Sequence, residues 1–283
     1  MSAPDLLEAI VAATRRAVAG AQERRPIEEV EHVAARREPR GTAFEDGLVS
    51  PDGIQIIAEC KRRSPSRGVL RDRYDPVAIA RSYEAAGAAA ISVLTEPAFF
   101  DGALAHLEEV RQQVAVPLLR KDFIVHTYQV VEARAAGADA ILLIVAALND
   151  AMLRDLRRHA TALGLAVLVE VHDRLELDRA LAAGATMVGV NNRNLRTLEV
   201  DVDASVSLID QIPEGVVAVA ESGLHRSEDV TALREAGYDA FLIGEALVTA
   251  TEPGDALRAL LSDAGRVTHA TRLSASAWAG ARG

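Results

Sequence analysis

Two rhythms of apolar residues alternate along this chain. Short unbroken apolar runs, bounded by charged or turn residues, predict strands buried on both faces, and apolar positions three and four apart predict helices between them. Four passages repeat the junction between the two: Glu84-Ala-Ala-Gly-Ala-Ala-Ala-Ile-Ser-Val, Arg134-Ala-Ala-Gly-Ala-Asp-Ala-Ile-Leu-Leu, Leu181-Ala-Ala-Gly-Ala-Thr-Met-Val-Gly-Val and Arg234-Glu-Ala-Gly-Tyr-Asp-Ala-Phe-Leu-Ile. Each reads as a helix end, a glycine cap and a buried strand. Gly87, Gly137, Gly184 and Gly237 are spaced by 50, 47 and 53 residues, right for two βα units and too long for one. The intervening strands are predicted at Ile54–Cys60, Val116–Phe123, Leu165–Val171 and Gly215–Ser222, with helices at Pro76–Ala86, Thr127–Ala136, Ala151–Leu163 and Ser227–Ala236.

Eight βα units in strict alternation imply a parallel sheet with right-handed crossovers, and eight close into a barrel. No Gly-x-Gly-x-x-Gly opens the first helix, which weighs against a dinucleotide-binding sheet. The predicted fold is therefore an α/β (βα)8 TIM barrel over residues 51–263. Residues 1–50 form a helical extension with amphipathic helices at about Pro4–Ala19 and Pro26–Arg37. Leu6, Leu7, Ile10, Val11 and Val18 make an apolar stripe on the first, which must lie on something. Residues 264–283, rich in Ala, Ser, Thr, Gly and Arg, are expected to form a poorly ordered tail.

Chemistry concentrates where the strands end. The run Ile54-Gln55-Ile56-Ile57-Ala58 breaks into Glu59-Cys60-Lys61-Arg62-Arg63-Ser64-Pro65-Ser66. An unpaired buried charge is costly, and in parallel barrels that end of the strand carries the active site. Glu59 and Lys61, two apart, share a face. The other strand ends supply Lys121-Asp122, Glu170, Asn191-Asn192-Arg193, Glu221-Ser222-Gly223 and Gly244-Glu245. Paired ions plugging the barrel are the structural alternative. After the last two strands, Ser222-Gly223 and Gly244-Glu245 free backbone N–H groups suited to an anion. His126, His172 and His225 have no regular spacing and are assigned no catalytic role.

Bulk properties narrow the partners. The 283 residues suit one barrel, and a net charge of −10 argues against nucleic acid and anionic membranes. The single cysteine, Cys60, excludes an intrachain disulfide and a multi-cysteine metal site, and suits a reducing cytoplasm. Glu8, Arg15 and Arg16 interrupt the first apolar stretch, so no secretory leader is expected there. The expected protein is cytoplasmic, a monomer rather than an oligomer, acts on a small phosphorylated substrate, and holds no metal.

The motifs Ile57-Ala-Glu-Cys-Lys-Arg-Arg-Ser-Pro-Ser, Leu118-Leu-Arg-Lys-Asp-Phe-Ile, Leu168-Val-Glu-Val-His, Gly189-Val-Asn-Asn-Arg-Asn-Leu, Ala220-Glu-Ser-Gly and Leu242-Ile-Gly-Glu-Ala-Leu together resemble the indole-3-glycerol phosphate synthase family, over about residues 5–262. The resemblance implies a barrel enzyme of tryptophan biosynthesis with an N-terminal helical segment near the catalytic face. It implies closure of the indole ring of 1-(2-carboxyphenylamino)-1-deoxyribulose 5-phosphate, with loss of CO2 and water and no cofactor. By resemblance Lys121 is the proton donor, with a pKa expected to be pushed toward neutrality by apolar surroundings and other cations. Lys61 holds the substrate carboxylate or acts as a second acid. Glu170 and Glu59 move protons, with orientation of Lys61 as an alternative role for Glu59. Asn191 bonds the substrate hydroxyls. Arg193, Ser222, Gly223, Gly244 and Glu245 take the phosphate, with Arg63 adding charge. Pro65, Phe100, Phe123, Leu142 and Leu195 form the slot for the anthranilate ring, although Phe100 and Phe123 also suit the core. The competing readings are a phosphoribosyl-amine isomerase, a Schiff-base aldolase using Lys121, and a catalytically silent barrel that binds a metabolite.

Overall fold

The computed structural model describes residues 5–38, 40–49, 53–200 and 203–275. Eight strands form a closed parallel barrel: β1 Gln55–Cys60, β2 Ala90–Leu94, β3 Leu118–Lys121, β4 Ala140–Ile144, β5 Ala166–Val171, β6 Met187–Asn191, β7 Val217–Glu221 and β8 Ala240–Ile243. Strand β8 returns to β1 in the register Gln55↔Ala240 to Ala58↔Ile243, which closes the ring. Burial on both faces explains the unbroken apolar runs, since inward residues fill the barrel and outward ones meet the helices. The helix Pro76–Ala86 shows how local chemistry sets the ends. The Asp75 carboxylate accepts from the Ala78 N–H at 2.9 Å, and Pro76 occupies the first turn. Gly87 stops the helix at φ 95°, a left-handed conformation that costs glycine little. Gly137 and Gly237 end their helices in the same way.

The extension holds three helices rather than the two expected: α1 Leu6–Arg24, α2 Ile27–Ala34 and α3 Gly41–Leu48. The third escapes a periodicity reading because it is short and carries glycine at both Gly41 and Gly47. It closes the bottom of the barrel, with Phe44 and Leu48 buried. Gly41 sits so close to the start of β5 that a Cβ there would stand 2.6 Å from the Ala166 nitrogen. Helix α2 packs Val30 and Ala34 on Tyr128, Val131 and Ala135 of the barrel helix Thr127–Ala136. Helix α1 starts at the opposite, upper end, where Asp5 caps it and pairs with Arg196 of the loop after β6. The final helix runs Pro253–Ala275, past the point where the tail was expected to begin; residues 276–283 lie outside those described.

Candidate active site

Alternation along the strands turns Glu59 of β1, Lys121 of β3, Glu170 of β5 and Glu221 of β7 into the upper barrel. These odd-numbered strands thus supply one layer of charged side chains, the arrangement in which alternate strands fill successive layers of such barrels. The three carboxylates are at most 3 % exposed. Lys121 Nζ lies 2.8 Å from Glu170 Oε2 and 3.2 Å from Glu221 Oε2, and Lys61 Nζ lies 2.5 Å from Glu59 Oε1. From β6, the Asn191 amide donates to Glu170 Oε1 at 3.0 Å, so both oxygens of Glu170 are held. Outward from β3, Arg120 is buried against Asp122 and Glu132, and Thr95 donates to Asp122 at 2.6 Å. That buried network holds the end of β3, which fixes where Lys121 points.

The electrostatics correct one expectation. Burial alone would lower the Lys121 pKa, but the Glu170, Glu221 and Glu59 carboxylates outweigh it and raise the value above its usual range. The neighbouring cations foreseen by the sequence are outnumbered by acids. Lys121 is therefore fully protonated near neutrality, the state a donor needs. Glu221 pays for the crowding. Burial, reinforced by Glu170 and Glu59 and opposed by Lys121, pushes its carboxyl up to about 7.

Above this layer the cavity encloses about 1040 Å³, part of it open to solvent. Lys61, Lys121, Glu59, Glu170 and Asn191 line it, together with Arg193, Ser222, Gly223, Gly244 and Glu245. Ser222 and Gly223 are both left-handed, at φ 65° and 74°, so the turn after β7 is sharp. Gly244 lacks a side chain for a local reason, since a Cβ would stand 2.3 Å from Glu59 Oε1. Arg193 donates to the Leu198 carbonyl at 3.1 Å and approaches Glu245 at 3.8 Å. Pro65, Phe100, Phe123, Leu142 and Leu195 all line the cavity, with the rings of Phe100 and Phe123 tilted at 37° and 6.0 Å apart.

Arg63 stands apart from this set. It belongs to a small antiparallel hairpin, Arg63–Ser64 with Gly68–Val69, whose alternation turns Ser64 inward and Arg63 outward. Its guanidinium lies 3.7 Å from Asp101 and does not line the cavity.

Glu221, Leu6 and Ile10, to which the sequence reading gave no role, are among the residues that line it. Alternation could have found Glu221, which ends β7 as Glu170 nearly ends β5. Nothing in the sequence of α1 says where its apolar stripe lands. Leu6→Ser should raise KM several-fold while moving the melting temperature little, because Leu6 lines the cavity and is only half-buried at the edge of the core. Melting curves beside steady-state kinetics check this; an unchanged KM would make α1 a purely structural cover.

The model of the indole-3-glycerol phosphate synthase family matches residues 7–260. This chain belongs to that family. An indole-3-glycerol phosphate synthase of Koribacter versatilis is 49% identical over 255 residues, covering 90% of this chain and 98% of the relative. The synthase of Variovorax paradoxus is 48% identical over 264 residues, covering 91% and 99%. Among solved structures, thiamine phosphate pyrophosphorylase from Pyrococcus furiosus superimposes with a TM-score of 0.56 at 16% identity, over 75% of this chain and 96% of that one, a likeness of fold alone. Membership in the indole-3-glycerol phosphate synthase family makes this chain an enzyme, a carboxy-lyase of tryptophan biosynthesis. Its reaction closes, decarboxylates and dehydrates 1-(2-carboxyphenylamino)-1-deoxyribulose 5-phosphate to indole-3-glycerol phosphate. The isomerase, aldolase and silent-barrel readings are set aside. Among the described residues, no group of three or more His, Cys, Asp and Glu side chains is arranged to hold a metal ion, and no helix is long and apolar enough to cross a membrane.

Proposed function

We propose that the cavity divides the synthase reaction between a proton-transfer floor and a phosphate-binding rim. The observation that carries this reading is Lys121, held between Glu170 and Glu221 at the foot of an apolar cavity whose rim is the turns after β7 and β8. The substrate phosphate takes the N–H groups of Ser222, Gly223, Gly244 and Glu245 and the Arg193 guanidinium. The anilino ring lies among Pro65, Phe100, Phe123, Leu142 and Leu195, and Lys61 meets its carboxylate.

The product fixes the first step. A carbon–carbon bond stands where the carboxylate was lost, so the ring carbon bearing that group attacks the ketone. Its π electrons form the new bond, and the ketone oxygen takes a proton from Lys121 as charge develops there. Loss of CO2 returns the electron pair of the broken C–C bond to the ring. The hydroxyl then leaves as water after taking a proton from an acid, while a base removes the proton from the adjacent carbon. Glu170, at 3.0 Å from the Asn191 amide and 2.8 Å from Lys121, serves as that base. Asn191 also orients the substrate hydroxyls, and Glu59 aligns Lys61. Glu221, titrating near neutrality, returns a proton to Lys121. Arg63 joins the rim only through long-range charge.

A cytoplasmic monomer working on a small metabolite fits this reading: the net charge of −10 weighs against nucleic acid and anionic membranes as partners, and the single cysteine suits a reducing compartment. Incubation of the purified protein with the anilino-ribulose phosphate should release one CO2 per indole chromophore formed. Absence of the chromophore would contradict the reading.

Arg193→Ala tests the rim. A guanidinium on phosphate holds substrate and transition state alike, so KM should rise roughly 10- to 100-fold with kcat changed far less. Inorganic phosphate should compete with substrate in the native protein and poorly in the variant. Unchanged competition would put the anion elsewhere.

A further inference from the structure

Gly189 lies in the middle of β6, buried, beside Glu170 of β5 and Val219 of β7. Glycine weakens a strand interior and needs a reason to be there. Conformation supplies none, because Gly189 is not among the positive-φ glycines and its backbone would suit any residue. Space supplies one. A Cβ at this position would stand 2.0 Å from Glu221 Oε1 and 3.1 Å from its carboxyl carbon, with Leu168 Cδ1 next at 3.3 Å. No backbone atom is among these closest neighbours. The Glu221 oxygen that enters this hollow is also the one buried carboxylate oxygen with no hydrogen-bond partner among the described residues, while the other oxygen faces Lys121 at 3.2 Å.

We propose that Gly189 is a positioning residue of the active site: its missing side chain makes the hollow in which the Glu221 carboxylate stands against Lys121. The inference rests on the reading of Lys121 as proton donor and goes beyond it in naming what holds the donor's second partner. An alanine here does not obstruct the fold, because what it meets first is the tip of a side chain that can turn away. Turning away is the consequence that matters. The carboxylate leaves Lys121, which keeps Glu170 alone within ion-pair distance, and proton transfer is misaligned.

The test is a double-mutant cycle on the full-length enzyme with G189A, E221A and the double variant. G189A should lower kcat by about 10- to 100-fold with KM little moved, the order expected when a reacting group is displaced by about 1 Å. In the E221A background the same substitution should change kcat by less than about twofold, since the group it displaces is gone. Lys121 loses one of the acids that keep it protonated, so the alkaline limb of the kcat–pH profile should move to lower pH in G189A and E221A alike. Equal losses from G189A in both backgrounds, or a loss with no movement of that limb, would overturn the proposal. Melting temperatures of the four proteins give the same cycle without reference to chemistry: G189A should lower the value only where Glu221 is present. Failure of the Lys121 reading would therefore leave this coupling intact. Should G189A fail to fold, the double variant should fold; if neither folds, the glycine serves something other than the Glu221 carboxylate and the proposal is wrong.

Discussion

Lys121→Ala should lower kcat by roughly 10²–10⁴-fold, the contribution of one well-placed acid, with KM changed much less. The proton it supplies is needed only as the ketone oxygen becomes an alkoxide, so the loss falls on the transition state and not on substrate binding. Its removal leaves Glu221 without its cation, and that carboxyl, already partly protonated near pH 7, answers by taking up a proton instead of unfolding the barrel. Lys121→Met, which keeps the apolar stem, separates lost volume from lost chemistry and should be as slow as the alanine variant. Steady-state kinetics with circular dichroism as the folding check would decide it. A kcat near the native value in either folded variant would remove Lys121 from the chemistry.

Glu170→Gln should be nearly as damaging, with kcat down on the order of 10²–10³-fold, for a different reason. Glutamine keeps the size and an oxygen for the Asn191 amide, but it neither balances Lys121 nor accepts a proton. Glu170 acts after ring closure, when the proton beside the departing hydroxyl is removed. Rapid-quench experiments should then show CO2 appearing ahead of the indole chromophore in this variant. If both are slowed equally, Glu170 works in the ring-closing step and not in the loss of water.

The barrel was legible because its strands are buried on both faces and three of its helices end on glycine. Gly87, Gly137 and Gly237 adopt the left-handed conformation that such ends require, and the helices Pro76–Ala86, Thr127–Ala136 and Ser227–Ala236 have the bounds read from the sequence. The helix α3 was not legible, since a short segment with two glycines is held by packing against Ala166 and its neighbours rather than by its own propensity. The polar site residues could be listed strand by strand, because each breaks an apolar run. Their mutual effect could not. Counting cations near Lys121 suggested a lowered pKa, whereas three carboxylates meet it across the barrel from strands far apart in sequence. Arg63 sits beside cavity-lining neighbours, but the local hairpin turns it to Asp101. Gly189 carries no chemistry of its own, and its meaning emerges only when β7 is laid beside β6.

The measurement that tests the central claim most directly is a crystal structure with the reduced substrate, in which the ketone is an alcohol that cannot cyclise. The phosphate should lie on the N–H groups of Ser222, Gly223, Gly244 and Glu245 with Arg193 beside it. The ring should lie against Phe100 and Phe123, with Lys121 Nζ within about 3 Å of the alcohol oxygen. A phosphate bound away from the turns after β7 and β8, or a Lys121 out of reach of that oxygen, would contradict it.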